Sequence, residues 1–319
     1  MQAAPWRSAA ASEAGAVRAE NQDRVFVDHE RGIFLVVDGL GGHAAGEMAA
    51  ETAANVIRQE LAELEGDVPQ RVRGAIAAAN DCICELAADN EAWRGMACVL
   101  TLAVIRDGKV TVGHVGDSRL YLIWNGALRK LTSDHSPVGE REDQGELTEA
   151  EAMAHPRRHE VFRDVGSRRR EPDEEDFIEL KEFLFKNDAA LLLCSDGLTD
   201  LVPSAEIREC VERYDGDPAV VVESLVNAAN RAGGKDNISV VFVAGSEFLG
   251  SGSAEMAEAR ARHAITRMRA GTRLRAARAG RASGVLSRAA KVLSSRVAFL
   301  VYGFLIGVVL ALTLHWPKP

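Results

Sequence analysis

VLTLAVIRDGKVTVGHVGDSRLYLIW, residues 99–124, holds three strongly apolar runs separated only by Arg106-Asp107-Gly108 and Gly116-Asp117-Ser118. Gly and Asp in such joints are turn residues. A parallel pair needs a crossover of a dozen residues or more, so runs joined this closely must lie antiparallel. The stretch is therefore read as strands 99–105, 109–115 and 119–124. Outward from it, further strands are predicted over 24–28, 33–37, 177–184, 190–195 and 238–243. Helical periodicity covers 45–65, 69–90, 204–213 and 217–232, with a weaker pattern over 148–155. Helices that arrive in pairs between groups of strands predict an α+β fold of antiparallel sheets with helices packed outside.

A second stretch tests that reading. In FLVVDGLGGHAAGE (34–47), Gly39, Gly41 and Ala44 match the G-x-G-x-x-A spacing of a dinucleotide loop. Yet Asp38 would face the pyrophosphate, and the acid near the expected ribose position, Glu60, falls inside a helical pattern. The loop is read instead as a metal holder. Asp117, Asp196 and Asp236 resemble Asp38 in flanking strongly apolar runs. A single Asp-Gly is most simply a turn, but four carboxylates carried toward the interior are costly unless paired, and the sequence sets no Arg or Lys regularly beside them. A shared cation resolves this. Oxygen ligands without cysteine or regularly placed histidine select Mg²⁺ or Mn²⁺ over Zn²⁺.

Charge is unevenly distributed. Residues 251–319 carry 12 Lys/Arg against Glu255 and Glu258, a balance of +10, so the overall −9 leaves −19 on residues 1–250. So acidic a body excludes a nucleic-acid surface and favours multivalent cations. The five cysteines, Cys82, Cys84, Cys98, Cys194 and Cys210, form no C-x-x-C pair, and no secretory signal opens the chain. Reduced thiols are expected, with Cys98 and Cys194 buried. Residues 134–176 are polar and long for a connection, which predicts a mobile flap over a site.

Taken in order, GAVRAENQD (15–23), DGLGGHAAGE (38–47), VGDSRLYL (115–122), LTSDHSPV (131–138), CSDGLTD (194–200) and GGKDNISVV (233–241) resemble the motifs of the bacterial metal-dependent (PPM, type 2C) serine/threonine protein phosphatases, over about residues 8–245. The resemblance implies an α-β-β-α sandwich, two antiparallel sheets each flanked by a helix pair. It implies a centre of two Mn²⁺ or Mg²⁺ ions, with a third, weaker ion in bacterial members. Asp38 matches the bridging ligand, Gly39 a carbonyl ligand of the second ion, Asp196 and Asp236 ligands of the first, and Asp117 an acid of the third. Asp23 matches the acid that orients the attacking water, and Arg18 the arginine that grips phosphate, for which a guanidinium fork is suited. The implied activity is hydrolysis of phosphorylated proteins by in-line attack of a water held between the metals, with a cognate Ser/Thr kinase as partner.

Three positions depart from the pattern. Gln22 stands where some members have a metal-binding glutamate, GMACVLTL (95–102) replaces a Gly-Thr-Thr stretch, and Leu40 stands where eukaryotic members place a histidine proposed as general acid. His43 is the nearest substitute, and His135 is read as structural. The departures keep a second function in play, a pseudophosphatase that uses the same surface only to bind.

After Phe248 the composition becomes rich in Ala, Arg, Gly and Ser, giving a phosphatase domain over 1–248 and a basic linker over 249–296. VAFLVYGFLIGVVLALTL (297–314) is free of charge, long enough to span a bilayer. A transmembrane helix is therefore expected over 297–316, with only Lys318 beyond it and eleven Lys/Arg from Arg260 to Arg296 before it. That asymmetry places the phosphatase domain in the cytoplasm, anchored to the inner membrane by a single span, with the linker against lipid headgroups.

Overall fold

The computed structural model describes residues 5–250, 300 and 304–306, apart from the side chains of His43 and Ala44. In chain order the strands are β1 (Trp6–Glu13), β2 (Arg24–Asp28), β3 (Ile33–Leu40), β4 (Ala97–Arg106), β5 (Lys109–Val115), β6 (Arg119–Trp124), β7 (Ala127–Lys130), β8 (Glu179–Leu184), β9 (Ala190–Cys194) and β10 (Ile238–Gly245). The helices are α1 (His43–Glu60), α2 (Val68–Asp89), α3 (Pro137–Asp143), α4 (Glu149–Met153), α5 (Asp196–Thr199), α6 (Ser204–Glu212) and α7 (Pro218–Arg231). One sheet runs β1-β10-β9-β6-β7 and the other β2-β3-β4-β5-β8. All pairings between these strands are antiparallel. The turn 106–108 closes the expected β4–β5 hairpin. The turn 116–118 corrects the sequence reading: β5 and β6 do not pair, and the turn carries the chain from one sheet to the other.

Period-two alternation sorts the side chains into layers. Along β3, Ile33, Leu35 and Val37 join the core beneath α1 and α2, whereas Phe34 and Val36 point the other way into the space between the sheets. Along β10, Val240, Phe242 and Ala244 meet the α6–α7 side, and Val241 and Val243 meet the opposite sheet. Both faces of these central strands are covered, which is why their sequences read as nearly unbroken apolar runs. The result is the α-β-β-α sandwich. Each large side chain buried in it contributes roughly 1.5–3 kcal/mol.

Two strands escape the sequence reading. β1, WRSAAASE, carries mostly small and polar residues, and β7 is only four residues long. β1 is held by its full pairing with β10. All five cysteines are free, with Cys98, Cys194 and Cys210 buried.

The segment 134–176 corrects an expectation. Rather than a flap poor in anchors, it is tied down along its length. Arg119 Nε lies 3.0 and 2.9 Å from the two Asp134 oxygens, and its Nη2 lies 3.0 Å from Glu142. Burial alone would raise the Asp134 carboxyl, but Arg119 and then Lys130 outweigh it and hold it below the usual carboxylate range. Loss of one partner from such a pair strands a buried charge, a cost of about 3–5 kcal/mol. Farther along, Cys98 and Val165 exchange backbone hydrogen bonds of 2.9 and 2.8 Å, and Gly166 N donates to Asn80 Oδ1 at 2.8 Å. Within the segment stands α3, which the sequence reading did not anticipate. It starts at Ser136, whose hydroxyl accepts from Gly139 N. α4 begins with a capping box between Thr148 and Glu151.

Residues 1–254 and 255–319 form two units. Within the second, Leu300 and Phe304–Ile306 are helical and exposed. Most of the predicted span over 297–316 lies outside the described residues, as does nearly all of the 249–296 linker. Among the described residues, no helix is long and apolar enough to cross a membrane.

Candidate metal centre

The carboxylates arrive from both sheets. Asp38 sits near the end of β3, paired across to Val99, and a Cβ on the next residue, Gly39, would collide with the Gly46 carbonyl. Only glycine lets the strand end approach the first turn of α1 this closely. Asp117 occupies the turn between β5 and β6. Asp196 is the first residue of α5, and one turn later comes Asp200, whose N–H donates to Asp196 O at 2.8 Å. Asp236 precedes β10.

Asn237 knits two of these loops together. Its Nδ2 donates to Glu20 O at 2.8 Å and Ala14 O at 3.2 Å, and its Oδ1 accepts from Gln22 N at 2.8 Å. The segment bearing Arg18, Gln22 and Asp23 is thereby fixed against the loop of Asp236. Gly234 O reinforces the joint by accepting from Ala16 N at 2.8 Å.

Arg18, Asp38, Gly39, Asp117, Asp196 and Asp236 all line one cleft of about 530 Å³. Asp23 lies behind them, 1% exposed. Burial pushes its carboxyl up to about 7, with Asp196 and Asp236 adding to the rise and hydrogen bonds from Ser239 and Ser195 opposing it. Burial, then Asp23, Asp196, Asp117 and Asp236, drives the Asp38 carboxyl well above its usual range. Burial and Asp196 do the same to Asp117. Asp38 and Asp117 still keep part of their surface on the cleft. Carboxylates packed so that each raises its neighbours are the arrangement a divalent cation relieves.

One atom sharpens the fit. Asp23 Oδ2 accepts from Ser195 Oγ at 2.8 Å, but the buried Oδ1 has no hydrogen-bond partner. A carboxylate oxygen held amid other carboxylates without a donor matches a cation or a water that a cation holds. The donor set, all oxygen, fits Mg²⁺ or Mn²⁺.

The sequence sets no Arg or Lys regularly beside these acids, but the fold brings basic side chains to them. Arg18 Nη2 lies 2.8 Å from Asp236 Oδ2. Across the cleft, Arg158 Nε lies 2.8 Å from Asp200 Oδ2, and His159 Nδ1 lies 3.4 Å from Asp200 and 3.8 Å from Asp196. These carboxylates, Asp196 first, raise the His159 imidazole above its ordinary value. Arg158, His159, Asp200, Asn237 and Ser195 were not singled out from the sequence. Asp200 had a signal, since it closes the CSDGLTD motif one helical turn after Asp196. Of the three departures, Gln22 and Leu40 line the cleft. His43 opens α1, and its side chain lies outside the described residues.

A second cluster, His114, His135 and Glu179, is not a metal site. Gly116 N donates to His135 Nδ1 at 3.0 Å, so the ring proton sits on Nε2. His114 Nε2 faces the Ser133 carbonyl at 3.1 Å and Nδ1 faces Thr101 Oγ1 at 2.9 Å, so its Nε2 is protonated as well. Neither ring has a lone pair to give. Burial, helped by His114 and Arg163, pushes His135 down to about 2, which keeps it neutral and structural.

The sequence profile of the family described as Protein phosphatase 2C matches residues 14–228. The chain belongs to this family. It is 36% identical to the protein phosphatase PhpP of Streptococcus pneumoniae over 246 residues, which cover 74% of this chain and 96% of that one. The crystal structure of the Mycobacterium tuberculosis serine/threonine phosphatase PstP/Ppp superposes with a TM-score of 0.68 at 32% identity, covering 75% of this chain and 98% of that one. A structure of the PstP catalytic domain in complex with two manganese ions gives a TM-score of 0.67 at 30% identity, covering 75% of this chain and 97% of that one. The sandwich and the cleft described above are thus the protein phosphatase 2C fold.

Proposed function

We propose that this chain is a metal-dependent phosphoprotein phosphatase that hydrolyses phosphoserine and phosphothreonine monoesters. The observation that carries the reading is the convergence of Asp38, Asp117, Asp196 and Asp236 on one cleft with Arg18 at its edge. Family membership and relatives named serine/threonine phosphatases support it. The centre takes Mn²⁺ or Mg²⁺, as the manganese-bound PstP structure exemplifies. Asp38, the Gly39 carbonyl, Asp196 and Asp236 would hold the pair of ions, and Asp117 would serve a third. When bound, the ions supply charge neutralisation on phosphate and a water acidic enough to attack near neutral pH. Arg18 turns its fork from Asp236 to the phosphate oxygens, and Asp23, through the free Oδ1, orients the attacking water. The set Asp38, Asp196 and Asp236 is intact and lines the cleft despite the Gln22 departure, which favours catalysis over binding alone.

Purified protein is expected to hydrolyse p-nitrophenyl phosphate and a phosphothreonine peptide with Mn²⁺ and to lose both activities in EDTA. Activity that persists in EDTA, or returns only with Zn²⁺, overturns the metal assignment.

The division into a phosphatase domain over 1–248, a linker over 249–296 and a span over 297–316 is part of the proposal. As a helix the uncharged 297–314 would measure about 27 Å at ~1.5 Å per residue, enough for the hydrocarbon core. The exposed, helical Phe304–Ile306 supports it. Basic residues of 249–296 face anionic headgroups, which holds the catalytic domain at the cytoplasmic face of the inner membrane, near phosphorylated proteins and a cognate kinase. The full chain is expected in the membrane fraction and a chain ending at Arg296 in the soluble fraction. Equal solubility of the two without detergent refutes the anchor.

A further inference from the structure

Ser195 is fully buried, and its single hydroxyl proton has one short destination. Ser239 N donates to Ser195 Oγ at 3.0 Å, which occupies an oxygen lone pair. The hydroxyl proton goes to Asp23 Oδ2 at 2.8 Å, with the Asn237 carbonyl a distant alternative at 3.4 Å. The serine itself is fixed by its own N–H, which donates to Ser239 O at 3.1 Å. The contact joins the two sheets, because Ser195 follows β9 in one and Asp23 leads into β2 in the other. The far side of Asp23 is equally constrained: Asp23 N donates to Asn21 Oδ1 at 3.1 Å, and Asn21 Nδ2 donates to Ser12 Oγ at 2.8 Å.

One carboxylate oxygen is therefore committed to a donor, and the other, Oδ1, is buried without one. We infer that Ser195 is a positioning residue: it pins Asp23 Oδ2 so that Oδ1 alone is presented to the metal centre. The neighbouring Ser239 hydroxyl also acts on the carboxyl, but it donates to Ser12 Oγ at 2.9 Å. Without the Ser195 hydroxyl, rotation of the carboxylate therefore loses its short fixed end-point, and either oxygen faces the cleft. This inference rests on the proposed phosphatase reading, in which Asp23 orients the attacking water. It goes beyond that reading by assigning the orientation to a serine on the opposite sheet.

Partners behind a metal site typically cost 10–100-fold in activity or metal affinity when removed. Full-length Ser195→Ala is expected to lower kcat on p-nitrophenyl phosphate at least about tenfold, with KM within about twofold. Ser195→Thr, which restores the hydroxyl, should recover most of the loss. Asp23→Asn combined with Ser195→Ala should be no slower than Asp23→Asn alone, because the serine acts through that carboxylate. Calorimetric titration with Mn²⁺ is the companion measurement, and Ser195→Ala should bind at least about tenfold more weakly. A wild-type protein that binds Mn²⁺ but turns over no phosphoester would defeat the phosphatase reading, while the Mn²⁺ comparison would still decide the role of Ser195. A folded Ser195→Ala with kcat and Mn²⁺ affinity both unchanged overturns the inference. So does a double variant that loses the product of the two single effects.

Discussion

Replacing Asp38 by alanine is expected to lower turnover of p-nitrophenyl phosphate by about 10⁴-fold, roughly 5 kcal/mol of transition-state stabilisation at ~1.36 kcal/mol per tenfold. Asp38 is the carboxylate whose charge is raised in energy by burial and then by four neighbouring aspartates, so it stands at the focus of the cluster. Asp196→Ala and Asp236→Ala should approach the same floor. Any pair combined should fall little further, since all three serve one centre. The loss is not one of folding. Taking a carboxylate out of a crowded, cation-free cluster removes repulsion, so in EDTA the Asp38→Ala protein should melt no lower than wild type. Steady-state kinetics with saturating Mn²⁺, read beside a melting curve in EDTA, check both halves. Independent, multiplying losses would mean that the acids do not share a site.

The carboxylates were legible because each one flanks an apolar run, and the pleat of a sandwiched sheet carries such ends to a common rim. The β4–β5 hairpin was legible for a similar local reason, its turn being too short for a parallel crossover. The equally short turn 116–118 misled, because it steps between the two sheets instead of pairing β5 with β6. β1 was not. Its alanines and serines carry little hydrophobic signal, and it forms because β10, more than 200 residues away, offers a complete edge. The contacts that shape the centre share this remoteness. Ser195 meets Asp23 across 172 positions and Arg158 meets Asp200 across 42, and no local pattern records either pairing. The segment 134–176 misled for the opposite reason. Its polarity was real and much of it faces solvent, but Asp134 and Glu142 are spent on buried ion pairs with Arg119, and Ser136 and Thr148 on helix caps. The Arg119–Asp134 pair carries no local signal, because it forms only where β6 and the start of the segment lie side by side.

Protons and cations compete for this cluster, and that competition fixes how stability depends on pH. Folding raises the Asp23 carboxyl from 3.8 to about 7, and Asp38 and Asp117 also rise. A carboxyl with a raised folded-state value contributes stability that is fully present below its unfolded value, near 3.8, and that is lost as pH climbs through the folded value. Without divalent cations the protein should therefore lose stability between about pH 4 and pH 7 from this source. Bound ions replace the protons and remove the penalty, so their stabilising effect should grow over the same interval. A single site at free ion about 1,000 times Kd gives about 4 kcal/mol, worth roughly 10 °C in a domain of this size at ~2–4 °C per kcal/mol. The decisive measurement is the melting temperature of the wild-type protein in Mn²⁺ and in EDTA, from pH 5 to pH 8. A gain from Mn²⁺ of about 10 °C or more at pH 8 that shrinks steadily toward pH 5 is the expected result; equal melting temperatures at pH 8, or a gain that grows as pH falls, would contradict a carboxylate metal centre.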